Sequence, residues 1–378
     1  MYDNAEKLLY KYNNVNYIVK NGIEFLELLK YNLNRRDKAG LIGDSHYNRI
    51  QRLFKRIAKS NIAHKNVKNL TEEDYQEFFI ELSKEYAKNT FDKFYSEIKL
   101  GLEYAFRKGI IDEFPIDSKV KPRCTKKTKK IIGLTIEQQK VFTKYIEESS
   151  LKDYPYKNAS LLQMYMGLRI GEANALSLED IDLDKKQIYI HKTVILDRNE
   201  QPIINENTKT EAGTRILPIP NNILPYLKEQ MEIAKTHKNH LLFVNSKGDI
   251  VREPSSNSQL KTRLINLGIY QKNMATHALR HTYATRNIEA GIEPIILSKL
   301  MGHSDVSVTL KTYVTIFDEV KAKSTKEVSK YYDRIGVFKD KLTDDNEEQE
   351  IFENNKKSHS NIIYFPTSKI VANDWNER

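Results

Sequence analysis

One cysteine in 378 residues, Cys124, is too few for an internal disulfide, which suits a reducing compartment. No run of eighteen apolar residues occurs, so no membrane-spanning helix of ordinary length is expected. The opening segment MYDNAEKLLYKYNNVNY lacks the apolar stretch of a secretory signal, and a cytoplasmic location is expected. A glycine-rich phosphate loop is missing, and so are Cys, His and acidic residues at metal-ligand spacing. No cofactor and no metal are expected on that basis.

Positive charge is what the chain has in excess. Its 61 Lys and Arg against 51 Asp and Glu leave a net +10. Residues 336–378 hold six basic and nine acidic side chains, so the preceding 335 residues carry +13. Such an excess suits a polyanion, although surface lysine also serves solubility.

Few Gly or Pro interrupt residues 20–117, where four segments place apolar residues at helical spacing: GIEFLELLKYNL, SHYNRIQRLFKRIAKSN, TEEDYQEFFIELSKEYA and TFDKFYSEIKLGLEYAFRKG. Ser45, Thr71 and Thr90 are candidate N-caps and Gly109 a candidate stop. The first nineteen residues form an extension whose Asn-Asn segment can turn a hairpin. A basic linker follows at 118–130, with Lys119, Lys121, Arg123, Lys126, Lys127, Lys129 and Lys130. It reads either as a solvated spacer or as a strap along a phosphate backbone.

A second domain is expected over 131–335. Thr135 and Gln138 are spaced as a capping box, and NASLLQMYMGLRIGEANAL reads as a buried helix with a Gly interruption. KQIYIHKTVILD, QPIINENTK and TRILPIP read as short strands, with turns at Asn199 and Gly213, and further helices follow. The fold class is therefore mainly α with a small antiparallel β-sheet. Residues 336–378 form an acidic, polar tail expected to be disordered.

Within this second domain the chemistry-bearing residues accumulate. Thr276 can cap a helix, which puts His277 and Arg280 three apart on one face of its first turn. Arg169 follows an apolar helix and needs an anionic partner there, either Glu172 or a ligand phosphate. GHSDVSVTLKTY then supplies His303 and Tyr313. Two arginines and two imidazoles around a tyrosine match phosphoryl transfer to a phenolic oxygen, with guanidinium groups neutralising the phosphorane.

The segments MGLRIGEANALSLEDID, HALRHTYAT and LSKLMGHSDVSVTLKTY resemble the signature boxes of the tyrosine recombinases, or phage integrase family, particularly integrases of Gram-positive phages and mobile elements. The resemblance covers 131–335 as the catalytic domain and 20–117 as the family's helical, SAM-like core-binding domain. It implies Arg169, His277, Arg280 and His303 as catalytic groups, Tyr313 as nucleophile and Glu172 as the acidic brace. It also implies a catalytic lysine on a hairpin, for which Lys209 in NTKTEAGTRILPIP fits better than Lys192. Tyr313 stands ten residues after His303, where many relatives have nine.

By that resemblance the protein would cleave and rejoin double-stranded DNA through a 3′-phosphotyrosyl bond, as a nucleoid-associated homotetramer on two DNA sites. An accessory bending or directionality factor would fit, and no membrane is involved. The implied role is integration or excision of a phage or mobile element. The alternatives are an Xer-like resolvase of chromosome or plasmid dimers, a relaxing topoisomerase, and a catalytically silent DNA-binding regulator on the same fold.

Overall fold

In the computed structural model, which describes residues 15–127, 133–206, 213–310, 312 and 328–336, the first described residues form a helix, over the second half of the segment where a hairpin is expected. Helix α1 (Val15–Asn21) crosses the expected boundary at residue 19. Ile18 is buried in the first core, and the helix end is satisfied from within the domain. Gly22 N–H donates to Ile18 O at 2.7 Å, and Lys68 Nζ donates to Val19 O at 2.6 Å. Residues 1–14 lie outside the described residues.

Four longer helices complete this half: α2 (Phe25–Lys38), α3 (Asp44–Ile57), α4 (Glu72–Glu85) and α5 (Lys88–Arg107). Thr71 caps α4 as its sequence position suggests, in a reciprocal pair of bonds with Asp74 at 3.3 and 3.0 Å. Ser45 and Thr90 do not cap. The N-caps are Gly43 and Ala87, so both hydroxyl residues fall in first helical turns. Aromatic side chains fill the core, with Phe25 edge-on to Tyr75 at 5.4 Å and Phe79 against Tyr95 at 4.9 Å. Each such ring or leucine taken out of water contributes roughly 1.5–3 kcal/mol before chain entropy is charged against it.

The basic segment that follows is bound to this half where it is described. Gln76 Nε2 donates to Val120 O at 2.8 Å, Lys126 Nζ to Glu85 O at 2.7 Å, and Cys124 packs against the same core. Lys121 Nζ pairs with Asp92 at 2.8 Å and lies 4.2 Å from the Tyr95 ring centroid. It is therefore not a free cation for a phosphate. Lys119, Arg123, Lys126 and Lys127 are exposed, while Lys129 and Lys130 lie outside the described residues.

A separate core begins at Leu134. Helix α6 (Ile136–Glu148) opens with the Thr135–Gln138 capping box at 3.2 and 3.1 Å. Helix α7 (Lys157–Met166) is buried on nearly every side, which accounts for its lack of a polar face. The stretch read as one interrupted helix is two. Gly167 adopts φ +71° and ends α7, and α8 (Ile170–Ala175) starts afresh, leaving Arg169 at the joint.

KQIYIHKTVILD likewise divides, into strands of two different sheets. β1 (Ile181–Asp182), β2 (Gln187–Ile190) and β5 (Arg215–Pro218) form an antiparallel sheet in the order β1-β2-β5. β3 (Thr193–Leu196) and β4 (Pro202–Asn205) form their own hairpin. The break falls where His191 and Lys192 turn to the buried Asp180, each at 2.9 Å. The hairpin tip meets the helical half: Arg198 pairs with Asp37 and, at 2.8 Å, with Asp44. It also stacks 4.4 Å over the ring of Tyr47.

Helices α9 (Leu224–Ala234), α10 (Glu253–Asn266), α11 (Thr276–Glu289) and α12 (Pro294–Met301) close the domain. The fold is mainly α with a small antiparallel sheet, as expected. The chain divides into two compact units, Met1–Phe317 and Asp318–Arg378. The second is described over 328–336, helical to 334, and the acidic tail beyond Gly336 lies outside the described residues. Among the described residues no helix is long and apolar enough to cross a membrane.

Candidate active site

Three elements converge beside the β-sheet: the α7–α8 joint, the face of α11, and the C-terminal end of α12. Helix α11 starts one residue earlier than a Thr276 cap would place it, with Ala275 as its N-cap. Thr276 is instead buried, and its N–H donates to Asn257 Oδ1 at 2.9 Å. One turn on, Arg280 is buried, whereas His277 on the same helix is exposed.

Glu172 is the centre of the site. Its carboxylate is 3% exposed and meets three guanidinium groups. Arg169 Nη1 donates at 2.6 Å, Arg215 Nη2 and Nη1 at 2.8 and 3.1 Å, and Arg280 Nη1 stands at 4.0 Å. Glu172 also accepts from the Arg169 backbone N–H at 2.9 Å, so it caps the helix it belongs to. Burial alone would raise this carboxyl, but the hydrogen bonds and charge of Arg215, then Arg169, outweigh it and hold the pKa at about 2.

The same three arginines take the last carbonyls of α12. Arg215 Nε donates to Leu300 O at 2.8 Å, Arg280 Nη2 to Met301 O at 2.6 Å, and Arg169 Nη2 to Gly302 O at 2.7 Å. These carbonyls face outward because Gly302, at φ +64°, ends the helix in the left-handed region. The negative end of the helix thus adds to Glu172 in holding the cations. Arg280 also donates to Gly167 O at 2.5 Å. Burial, then Arg169, lower its pKa to about 9, which leaves it charged at neutral pH.

His303 follows directly, with Nε2 2.9 Å from Arg280 Nη2 and Nδ1 2.9 Å from Thr309 Oγ1. Burial first, then Arg280 and Arg169, push its pKa down to about 4. Three cations against one carboxylate and a neutral imidazole leave positive charge uncompensated. Arg169 is the member that reaches solvent, its side chain 37% exposed against 7% for Arg215 and for Arg280. The arrangement is suited to a phosphate delivered from the Arg169 side.

The structure therefore brings Arg169, Glu172, Arg280 and His303 together, and it adds Arg215 and Thr309, which the sequence reading passes over. Lys192, the weaker candidate for the lysine, is buried against Ser177 at 2.6 Å and Asp180 at 2.9 Å, where it is unavailable to a ligand. Lys209 and Tyr313 lie outside the described residues, Lys209 between the placed ends of β4 and β5.

Comparison with known proteins bears on what this site serves. Residues 133–319 match the phage integrase family. A tyrosine recombinase XerC-like protein of Caldanaerobacter subterraneus is 27% identical over 201 residues, 48% of this chain and 51% of the relative, so the chain spans about half of that protein. The transposase from transposon Tn916 of Enterococcus faecalis is 24% identical over 280 residues, 71% of this chain and 69% of the transposase. Among solved structures, the Tn1549 transposon integrase in complex with a circular intermediate DNA shares the fold. Its TM-score is 0.68 at 19% identity, over 81% of this chain and 99% of that one. Residues 133–319 belong to the phage integrase family, the tyrosine recombinases of mobile elements and phages, enzymes that cleave and rejoin DNA by transesterification through a tyrosine.

Proposed function

We propose that this chain integrates or excises a mobile element or phage, with Tyr313 attacking a scissile phosphate to leave a 3′-phosphotyrosyl bond and a free 5′-hydroxyl. Arg169 and Arg280 hold the non-bridging oxygens, and Lys209 protonates the leaving 5′-oxygen. Glu172 braces the arginines. His303, neutral and bonded to Arg280, orients rather than donates in the resting site, and His277 supports proton movement from the exposed end of the same helix face. Energy stays in the phosphotyrosine, so rejoining is the reverse displacement by a 5′-hydroxyl.

The observation that carries this reading is the arginine cluster itself: cations gathered on one carboxylate and one helix end beside a neutral imidazole. Double-stranded DNA is the partner, gripped between residues 20–117 and 131–335, with Lys119, Arg123 and Lys127 on the backbone. A homotetramer on two sites, an accessory bending or directionality factor and a cytoplasmic, nucleoid-associated setting complete the proposal. Resolution of chromosome or plasmid dimers is a second reading, supported by the likeness to the XerC-like recombinase.

Trapping covalent protein–DNA adducts in cells and sequencing the attached DNA, for wild type and Tyr313→Phe, tests the proposal. A few sharp sites that vanish in the variant support it, and sites at a mobile-element end favour integration over dimer resolution. Scattered, sequence-indifferent adducts dependent on Tyr313 would point to a relaxing topoisomerase, and DNA binding without adducts to a silent regulator.

A further inference from the structure

We propose that Arg215 is a positioning residue of this recombinase: its paired contacts with Glu172 hold that carboxylate against Arg169, and its remaining donors tie the strand that follows Lys209 to the end of α12. The inference rests on the recombinase reading above, and extends it to a residue outside the family boxes.

The geometry makes Arg215 a hub. Four of its N–H···O bonds are formed: two to Glu172 at 2.8 and 3.1 Å, one to Leu300 O at 2.8 Å and one to Gly213 O at 3.2 Å. It stands at the first position of β5, paired with Ile190 of β2, so the β-sheet fixes its backbone. Gly213 is the first described residue after Lys209 in the chain, and one guanidinium thus joins Gly213, the carboxylate and the helix end. A buried cation is costly unless fully paired. Here the pairing partner is the group that orients Arg169. A packing role alone would be met by an apolar side chain of similar volume.

The groups that bear on Glu172 are Arg169 before α8, Arg215 from β5, Arg280 from α11 and His303 after α12. With Arg215 removed, Glu172 loses the cation that donates to both of its oxygens while staying buried, so its carboxyl moves up. Once protonated it keeps at most one acceptor oxygen for Arg169. The rate of DNA cleavage then acquires an acidic limb, rising with pH as Glu172 ionises. The wild type lacks this limb because its carboxyl is already ionised.

The test pairs two readouts on the full chain: Arg215→Gln, Arg215→Lys and the double variant Arg215→Gln/Glu172→Gln. The first readout is the ¹³Cδ resonance of Glu172 in glutamate-labelled protein without DNA, assigned by its loss in Glu172→Gln. The second is the pH–rate profile of adduct formation on a nicked duplex carrying the site mapped with wild type. In Arg215→Gln the resonance is expected to titrate roughly 1–3 units higher. Its cleavage should fall by up to about tenfold between pH 6 and pH 4, tracking the carboxyl that the resonance reports, and recover as pH rises. Lys restores part of the rate, because it supplies charge without the fork, and the double variant is flat with pH. A uniform loss at every pH, or an unmoved resonance in folded Arg215→Lys and Arg215→Gln, overturns the proposal. A shifted resonance alongside a wild type that forms no adduct defeats the recombinase reading and leaves the Arg215–Glu172 link standing.

Discussion

Arg280 Nη2 lies 2.9 Å from His303 Nε2, and that contact assigns the imidazole tautomer. Guanidinium nitrogens only donate, so Nε2 accepts and the proton sits on Nδ1, donating to Thr309 Oγ1. Proton transfer from Nε2 is closed in the resting site. Histidine NMR should find His303 neutral with an apparent pKa near 4; a value at or above 6.5 would contradict the assignment. The folded pKa lies below the unfolded one, so the unfolded chain takes up the proton first. The corresponding stability is complete above about pH 6.5 and is lost as pH falls toward 4.

Replacing Glu172 with Gln should unfold the site before it merely slows it. The change leaves Arg215 and Arg280 buried with only neutral partners, at a cost of about 3–5 kcal/mol. Denaturant titration at pH 7 reads this directly, and a loss below 1 kcal/mol would show that the helix end alone suffices to hold the cations. For the wild type, the contribution of Glu172 is full above about pH 4.5 and lost as pH falls toward 2.

Lys192 and Lys209 should separate cleanly. Lys192→Met is expected to lower stability, since it takes the lysine ammonium from the buried Asp180, whereas Lys209→Ala should leave the melting temperature within about 2 °C and slow cleavage by about 10²–10⁴-fold. A stable, active Lys209→Ala would remove that residue from the mechanism.

Gly167 sets the α7–α8 joint. A Cβ there would stand 2.4 Å from the Tyr283 ring, and the φ of +71° is unfavourable for any other residue. Gly167→Ala should cost at least the roughly 1–2 kcal/mol of a left-handed alanine, with the ring displacement added. It should also impair cleavage, since Arg280 binds the Gly167 carbonyl. Thermal unfolding checks the first effect and adduct yield the second.

The hairpin tip offers a salt-dependent prediction. Arg198 reaches Asp37 and Asp44 across the two cores, so Arg198→Ala or high salt should expand the chain in small-angle scattering. An unchanged radius of gyration in both cases would show that other contacts set the arrangement.

What the sequence made legible followed from periodicity and short-range chemistry. The four main helices of residues 20–117, the cap at Thr71 and the capping pair at Thr135 have local signals, and the grouping of Arg169, Glu172, Arg280 and His303 followed from the resemblance to the family's boxes. The misses are tertiary. Ile18 enters a core, so its segment is helical rather than a hairpin. His191 and Lys192 turn to Asp180 and split one apparent strand between two sheets. Arg215 did carry a signal. Strand alternation puts it on the same face as the buried Leu217, and a cation on an inward face requires a partner. Nothing local announces that the end of α12 supplies carbonyls to three separate arginines.

The most direct test of the central claim is to recover the trapped adduct, digest it with nuclease and trypsin, and identify the peptide that carries the nucleotide. The prediction is the 312–321 peptide, Thr312 to Lys321, modified on Tyr313 by a phosphate linked to a 3′-oxygen. A nucleotide on another side chain, a 5′ linkage, or an adduct that persists in Tyr313→Phe would contradict it.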